Sequence, residues 1–276
     1  MRFTVIGSGS SGNAVLISSE TTNVLVDAGL SAREIARRLA ALGVDYKNLD
    51  AVLITHEHSD HVAGLRVLLA NVKCPVYISR ATEDAFYEIW TNGKNGDSES
   101  AKRRKALDGR VAEIESDREF RIGDLDFDPF CVPHDAVDNF GFIAKRNGVR
   151  VATLTDFGHV SETIKEKLRG CDAIIIESNH NRDMLRTCSV YSWALKQRIM
   201  SRVGHLSNED LSDWLTNDFD GSARHIVLAH LSQRANEPHL ARLTAEIALK
   251  MRPPLFQAET KITVSHHKEP TAWIEF

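Results

Sequence analysis

The chain has 276 residues, of which 42% are hydrophobic and 26% charged, and its formal net charge at pH 7 is -4. This composition is typical of an ordinary globular protein and excludes a collagen, a coiled coil and a disordered tail. The near balance of charge provides no overall attraction to nucleic acid or to an anionic membrane, although it is compatible with a local basic groove.

From the sequence pattern we expect no targeting signal. The apolar runs are strand-sized, and none approaches the roughly 18 residues that a membrane span needs. The apolar start gives way to glycine and serine too early for a secretory signal. The four cysteines form no Cys-x-x-Cys pair, so we expect reduced thiols and a cytoplasmic protein without a membrane segment.

The first half of the chain alternates strands and helices. Strands are predicted at residues 2–6, 14–18, 23–26, 51–54 and 76–79. Ser31 precedes a helical pattern in which Ile35, Leu39 and Leu42 share one face, and Gly43 ends it. Further helices are predicted at 61–70 and 81–90. Residues 91–109 are polar and charged, which indicates a loop or mobile insertion, and whether it forms a lid stays open.

The second half begins with strands and continues with alternating helices and strands. Strands are predicted at 110–114, 119–122, 125–132, 140–146, 150–155, 173–177 and 225–229, with Asn147-Gly148 as a hairpin turn. This order indicates an α/β (α+β) protein with two sheets between helical layers. We expect one domain over residues 1–276.

Gly7, Gly9 and Gly12 spell Gly-x-Gly-x-x-Gly directly after a predicted strand. That pattern binds a dinucleotide only where a helix begins at the glycines, because the pyrophosphate lies at the helix N-terminus. Here the residues from Asn13 onward have strand composition, and Asp27 follows too soon to bind the ribose. The pattern therefore favours a hairpin connection over a cofactor site.

The segment HEHSDH at 56–61 places four possible metal ligands in six residues after a buried strand. Alternate residues of an extended chain point to the same side, so His56 and His58 are expected to converge on one ion. A turn into a helix at Asp60 and His61 would direct those two side chains to a second ion. Imidazole combined with carboxylate favours Zn²⁺, Mn²⁺ or Fe²⁺ over Ca²⁺.

Three further candidate ligands, His134, Asp156 and His230, each follow an apolar strand. A sheet delivers side chains at strand ends to a common edge, so these residues complete a dinuclear site. The predicted ligand sets are His56, His58 and His134 for one ion and Asp60, His61 and His230 for the other, with Asp156 bridging them.

These motifs resemble those of the metallo-β-lactamase-fold hydrolases, and they are most similar to the YycJ (WalJ) branch. The resemblance covers nearly the whole chain and implies a four-layer αββα sandwich, two bound metal ions and exonuclease-like hydrolysis of DNA. The motifs that carry it are GSGSSGNA (7–14), VDAGLS (26–31), ITHEHSDH (54–61), PHDA (133–136), LTDFG (154–158), ESNH (177–180), GHLSNED (204–210) and LAHLS (228–232).

The resemblance also implies roles for residues outside the ligand set. It assigns Asp27 to accepting hydrogen bonds from the loop that carries the ligands. Two departures, Phe157 within TDFG and Val137-Asp138-Asn139 after PHDA, alter residues of the pocket without removing a ligand.

GHLSN at 204–208 resembles the histidine loop of tRNA 3′-processing members of the superfamily, in which the histidine donates a proton to the leaving oxygen. An unprotonated alkoxide leaves poorly, so His205 is the candidate general acid. Ser207 as the N-cap of a following helix is an alternative that is compatible with this role. Glu177 and His180 are candidates for orienting a ligand or contacting phosphate.

Within the superfamily, the sequence favours some substrates over others. Lactam-hydrolysing members lack a carboxylate at the position of Asp156. Residues 231–276 are too short for the helical domain of glutathione thioesterases, and the chain has no room for the inserted domain of RNA-processing nucleases. The fold alone does not name the reaction.

The sequence thus predicts a dinuclear-metal-dependent hydrolase, a phosphodiesterase or DNA exonuclease that uses a metal-bridging hydroxide positioned by Asp60. The expected cofactors are two divalent ions, Zn or Mn with Fe also compatible. The expected partner is nucleic acid, with DNA favoured. The basic run at 102–105 is a candidate phosphate contact, although such a run is more often simply solvated. An esterase, thioesterase or cyclic-nucleotide phosphodiesterase with the same metals stays open, as does a metal-stabilised binding module without turnover.

Overall fold

The computed structural model describes residues 1–88, 96–252 and 259–276. The chain divides into two compact units. Unit 1 comprises Met1–Pro129, Ala136–Phe140 and His267–Phe276, and unit 2 comprises Phe130–Asp135 and Gly141–His266. The single domain predicted for 1–276 stays a prediction. Among the described residues, no helix is long and apolar enough to cross a bilayer.

The described residues form fourteen strands and ten α-helices. The strands are β1 (Arg2–Gly7), β2 (Ala14–Ser18), β3 (Asn23–Val26), β4 (Ala51–Leu53), β5 (Val76–Ile78), β6 (Val111–Glu113), β7 (Phe120–Ile122), β8 (Leu125–Cys131), β9 (Phe140–Arg146), β10 (Val149–Leu154), β11 (Ala173–Glu177), β12 (His225–Ala229), β13 (Lys261–Val264) and β14 (Ile274–Glu275). The helices are α1 (Ala32–Ala41), α2 (Ser59–Val62), α3 (Leu65–Leu69), α4 (Arg80–Glu88), α5 (Gly96–Leu107), α6 (Glu162–Leu168), α7 (Arg182–Thr187), α8 (Trp193–Ile199), α9 (Asn208–Asn217) and α10 (Pro238–Met251).

Unit 1 contains a mixed sheet in the order β14-β1-β2-β3-β4-β5-β6. Pairing is antiparallel from β14 to β3 and parallel from β3 to β6. The apolar face of the sheet packs with α1 and α3, whose Leu39 and Leu65 are fully buried in this core. The parallel strand β4 leads directly into the histidine-rich segment, so this core fixes where that segment starts.

Two local predictions in unit 1 are confirmed. Ser31 is the N-cap of α1, and its side chain accepts a hydrogen bond from the Glu34 amide. The glycine pattern after β1 connects it to an antiparallel strand, β2, so no helix begins there to receive a dinucleotide.

Unit 2 contains the strands β9 to β13, in which β10, β11, β12 and β13 are parallel and β9 is antiparallel to β10. Its core buries Leu154, Ile176 and Leu228 from neighbouring strands, together with Leu211 of α9 and Ala245 of α10. The register pairs Leu154 with Ile176 and Ile176 with Leu228, so the carboxyl ends of β10, β11 and β12 meet at one edge. Ligands bind at that edge in open α/β sheets.

The predicted loop at 91–109 is wrong for residues 96–107, which form α5, whereas 91–95 lie outside the described residues. Tertiary contacts explain the helix. Arg103 lies over the Phe86 ring and donates a hydrogen bond to the Phe86 carbonyl, and Arg104 lies over the Tyr87 ring. Two arginines of the basic run at 102–105 are thus engaged within the protein, a packing role that their charge alone did not indicate.

The predicted helix at 61–70 is two short helices, α2 and α3, that meet at Gly64. The Gly64 amide donates a hydrogen bond to the Ala28 carbonyl. A Cβ atom at Gly64 would lie 1.9 Å from the Leu30 carbonyl oxygen, which only glycine avoids. The break therefore ties the ligand-bearing segment to the loop after β3.

Candidate metal centre

In unit 1, four of the predicted ligands lie together just after β4. The ring centroids of His56 and His58 are 4.6 Å apart, and those of His56 and His61 are 4.0 Å apart. His61 Nε2 lies 3.7 Å from Asp60 Oδ2. The extended chain at His56 and His58 changes to helix at Ser59, as the spacing predicts, and this change groups four ligand side chains within a single loop.

Asp27 orients this loop. One of its carboxylate oxygens accepts a hydrogen bond from the Thr55 amide at 2.9 Å, and the other lies 2.7 Å from His61 Nδ1. The Nδ1–H of a neutral His61 donates to this carboxylate, which leaves the lone pair on Nε2 for a metal ion. Both side chains are buried, so the carboxylate fixes the tautomer as well as the ring.

Close backbone contacts explain the Val-Asp-Ala-Gly motif. A Cβ atom at Gly29 would lie 1.6 Å from the Asp60 carbonyl oxygen, so only glycine fits. The same carbonyl accepts a hydrogen bond from the Asn13 amide, and the Asn13 side-chain nitrogen lies 3.0 Å from His61 Nε2. Sequence analysis missed Asn13 as a site residue, although its place at the end of the motif GSGSSGNA was the available signal.

Three of the four residues that depart from the family pattern are anchored in the fold. Phe157 is fully buried, and Asn139 is also buried. Asp138 accepts a hydrogen bond from the Ser79 hydroxyl, whereas the side chain of Val137 is 55% exposed.

In unit 2, the second cluster is assembled from separate segments. Asp156 follows β10, Glu177 is the last residue of β11 and His230 follows β12. His205 precedes α9. Each of these four residues offers a ligand atom, and these atoms all lie within 4.8 Å of one another. The parallel strands therefore bring together side chains that are up to 74 positions apart in the chain, from 156 to 230.

Glu177 is the centre of this cluster. Its Oε1 atom lies 2.8 Å from His205 Nδ1 and 2.8 Å from His230 Nδ1, and its Oε2 accepts a hydrogen bond from the Phe157 amide. Burial alone would raise the pKa of the Glu177 carboxyl, but the two histidines outweigh burial and lower it. An ionised carboxylate thus holds both rings, with their Nε2 atoms directed away from it.

His205 and His134 have opposite pKa shifts. Burial lowers the pKa of His205, but the Glu177 carboxylate outweighs it and raises the pKa above the ordinary value. Burial dominates at His134 and lowers its pKa. His134 Nδ1 lies 3.1 Å from the Val203 carbonyl, which favours the tautomer whose Nε2 binds a metal.

His180 is 2% exposed, and its side chain makes no hydrogen bond to Glu177 or His205 in the described structure. Its Nδ1 atom has no hydrogen-bond partner among the described residues, and burial lowers its pKa to about 4. Its backbone carbonyl accepts a hydrogen bond from the Asn208 amide. An isolated bridge pairs His180 with Ser207, so His180 lies beside the loop that carries His205, and its predicted role stays a prediction.

Backbone strain is concentrated at the site. Five described residues other than glycine have a positive φ, and three of them are Asp27 (63°), Asp156 (62°) and His230 (53°). Residues in this left-handed region cost free energy unless the surrounding structure enforces them, and they cluster at functional sites. Each of the three directly follows or lies close to the end of a strand, where the turn redirects the side chain.

The donor chemistry fits a divalent metal ion. Buried imidazole nitrogens and carboxylate oxygens are grouped, and His61 and His230 each have Nδ1 held by a carboxylate. This carboxylate–histidine arrangement is the usual support of metal-ligating histidines. The clusters are therefore of the kind that binds divalent metal ions.

Comparison with known proteins identifies the family. A family model described as "Beta-lactamase superfamily domain" matches residues 22–231. "Exodeoxyribonuclease YycJ" of Bacillus anthracis is 32% identical over 91% of this chain and 89% of that protein. "Exodeoxyribonuclease WalJ" of Streptococcus pneumoniae serotype 2 is 35% identical over 88% of this chain and 86% of that protein.

The fold is shared with solved structures. The crystal structure of the metallo-beta-lactamase fold protein YhfI from Bacillus subtilis superimposes with a TM-score of 0.70 at 16% identity, covering 98% of each chain. The predicted fold and the predicted enzyme class, a metal-dependent hydrolase, are thereby confirmed. The chain therefore belongs to the metallo-β-lactamase superfamily and, within it, to the family of the YycJ and WalJ proteins.

Proposed function

We propose that this protein is a metal-dependent phosphodiesterase that shortens DNA as an exonuclease. The observation that carries the proposal is the pair of His205 and Glu177 beside Asp156 and His230. The pair places an imidazole whose Nδ1 is held by a carboxylate next to candidate metal ligands, where a leaving alkoxide needs a proton donor. The names of the relatives, exodeoxyribonucleases, support DNA as the substrate.

We propose that the metal ligands are those predicted from the sequence. They are His56, His58, Asp60, His61, His134, Asp156 and His230. Two divalent ions bound by them would supply a nucleophile near neutral pH, since coordination lowers the pKa of water to ~7, and would neutralise charge on phosphate. Zn²⁺ or Mn²⁺ suits this donor set, and Fe²⁺ is also compatible with it.

Two side chains of the protein carry out the proton transfers, one to the leaving oxygen and one from the nucleophile. Glu177 Oε1 accepts a hydrogen bond from His205 Nδ1, which raises the pKa of His205 and keeps a proton on its Nε2 for the leaving oxygen. With the ions bound, Asp60 would position the nucleophile and accept its proton. Asp27 keeps the Nε2 atom of His61 available by accepting the hydrogen bond from Nδ1.

A metal-dependent nuclease assay tests the proposal. Purified protein with added Mn²⁺ or Zn²⁺ is incubated with end-labelled single-stranded and double-stranded DNA and RNA, with Asp60→Ala as the inactive control. We expect stepwise shortening of DNA that the substitution abolishes. Intact polymers with folded, metal-loaded protein that hydrolyses small esters or cyclic phosphodiesters would instead establish the alternative enzyme.

A further inference from the structure

Residues 182–202 of unit 2 form a basic surface segment that ends beside the site. The segment comprises α7, α8 and the residues that follow them. It contains five basic residues and one acidic residue, Asp183, within a chain whose net charge is -4. Four of the basic residues, Arg182, Arg186, Arg198 and Arg202, are exposed, whereas Lys196 is buried and donates a hydrogen bond to the Arg186 carbonyl. Such a local excess of positive charge is the electrostatic signature of a surface that meets phosphates.

The same segment exposes apolar side chains. Trp193 is 63% exposed and Val190 is 67% exposed, and Met200 and the next residue after the segment, Val203, are also exposed. Trp193, Gln197 and Met200 follow the spacing i, i+4, i+7, so they lie on one exposed face of α8 and its C-cap. Exposed apolar side chains that share a face and are rimmed by charged residues are of the kind that marks an interaction surface.

Hydrogen bonds connect this surface to the site. The His205 amide donates to the Ile199 carbonyl at 2.9 Å, at the end of α8. Tyr191 and Ser232 have their hydroxyl oxygens 3.3 Å apart, which ties the residues before α8 to the loop after His230. The helix is therefore held in one position relative to His205 and His230.

The arginines of the segment are accessible to phosphate. Arg182 pairs with Asp210, Arg186 with Asp183 and Arg198 with Asp135. All three guanidinium groups are well exposed, and exposed ion pairs are worth little, so a phosphate can replace the carboxylate. Arg202 contacts His159 and has no acidic residue among its hydrogen-bond partners in the described structure.

We propose that Trp193 and the flanking arginines bind single-stranded nucleic acid and lead it to His205, an inference that rests on the proposed nuclease function. Non-specific single-strand sites combine an aromatic ring on which a base stacks with cationic groups that follow the backbone. The six residue steps from Trp193 to Ile199 span roughly 9 Å of helix. That length corresponds to roughly two or three nucleotides at ~3.4 Å per nucleotide, so the stacked base lies a few nucleotides from the scissile bond.

The test compares Trp193→Ala with the wild type on two substrates. One is a 5′-labelled single-stranded DNA, and the other is bis(4-nitrophenyl) phosphate, which has no base to stack. We expect Trp193→Ala to raise KM for the DNA about tenfold, as lost stacking on one base predicts, with turnover of the small phosphodiester unchanged. Trp193→Phe keeps a ring and restores most of the affinity. Leu243→Ala, at an exposed apolar position on α10, is the matched control.

The arginines have their own readout. Arg186→Ala is expected to reduce the slope of log affinity against log salt by about 0.7, the value for one lost phosphate contact on a single strand. Arg242→Ala, which removes an exposed arginine paired with Glu246 on α10, should leave the slope unchanged.

Each outcome separates this surface from the proposed function. If Trp193→Ala cleaves DNA with an unchanged KM, the proposed single-strand surface is wrong and the proposed nuclease function still holds. Binding of a fluorescein-labelled oligonucleotide that depends on Trp193, without any cleavage, supports the surface and overturns the nuclease. A dimer that Trp193→Ala converts to a monomer, with the KM for DNA unchanged, would show that this face meets a second copy and overturn the proposal.

Discussion

The two candidate ligand clusters differ in how the chain builds them. In unit 1, His56, His58, Asp60 and His61 come from a single loop between β4 and α2, and one carboxylate, Asp27, orients the ring of His61. In unit 2, residues 156, 177, 205 and 230 come from four segments, and Glu177 holds two rings at once. The first cluster is a property of local sequence, whereas the second is a property of strand register.

This difference determines what each cluster depends on. The loop of unit 1 requires close backbone approach at Gly29 and Gly64. The cluster of unit 2 requires left-handed backbone at Asp156 and His230 and a shared buried carboxylate. A substitution in unit 2 therefore disturbs several ligands through one residue, while in unit 1 the loop geometry persists if its glycines are kept.

The largest expected effect is at Asp156. Asp156→Asn keeps the shape and the tolerance for a positive φ but removes the charge that would bind two ions. We expect kcat/KM to fall by at least about 100-fold and metal content, measured by mass spectrometry, to fall with it. Asp117→Asn is the matched control, because Asp117 also has a positive φ (61°) and belongs to none of the candidate ligand clusters of the described residues. Activity within threefold of the wild type would refute the bridging role.

The next largest effect is at His205. His205→Gln should lower kcat on DNA by about 100-fold with metal content retained, since a general acid contributes about that much. On bis(4-nitrophenyl) phosphate, whose leaving group needs no proton, the loss should be much smaller. Undiminished cleavage of DNA by His205→Gln would exclude the general-acid assignment, and equal losses on both substrates would indicate a structural role.

The partner of His205 shifts the pH profile. The Glu177 carboxylate raises the pKa of His205, so the protonated form persists to higher pH. Glu177→Gln removes that charge and lowers the pKa. Because the acid must be protonated, activity is lost as pH rises through this pKa, and the alkaline limb of kcat should move to lower pH. If the alkaline limb of kcat does not move in Glu177→Gln, Glu177 does not set the pKa of His205.

The contrast between the clusters also explains what the sequence could predict. The ligand loop of unit 1 was evident from spacing, because alternate residues in an extended chain point to one side. His134, Asp156 and His230 were found as residues after apolar strands. The joint contact of Glu177 with His205 and His230 was not predicted, because it depends on the register of β11 and β12.

Tertiary packing, which secondary-structure propensity does not capture, explains the remaining differences between the predictions and the structure. α5 was predicted as a loop because its composition is polar, and its stability comes from contacts such as Arg103 on Phe86. The basic surface of residues 182–202 was overlooked because its arginines are spaced along two helices. The compact run at 102–105, the predicted candidate for a phosphate contact, includes arginines that pack on aromatic rings.

A smaller effect is expected at Asp27 in the local cluster. Asp27→Asn retains the shape and the positive φ but weakens the hydrogen bonds to Thr55 and His61. Loss of such a supporting carboxylate typically costs 10- to 100-fold in metal affinity, so we expect roughly tenfold weaker binding by metal titration. Asp124→Asn, which loses the bonds from Ser19 and Thr22 elsewhere in unit 1, is the control. Unchanged affinity in Asp27→Asn would show that the loop alone fixes His61.

The smallest effect concerns stability at His180 in the assembled cluster. Burial lowers the pKa of His180 from 6.5 to about 4 in the folded protein. Between these values the unfolded chain binds a proton that the folded protein does not, so the stability present above pH 6.5 is lost as pH falls toward 4. For one such group, the free energy of unfolding changes by at most about 1.4 kcal/mol per pH unit. In metal-free protein, the free energy of unfolding in urea should fall less steeply from pH 7 to 5 for His180→Leu than for the wild type. His239→Leu, at an exposed position on α10, is the control and should match the wild type. Equal slopes for His180→Leu and the wild type would mean that His180 takes up its proton without unfolding, and that the polar groups behind Glu177 accommodate charge more readily than their burial indicates.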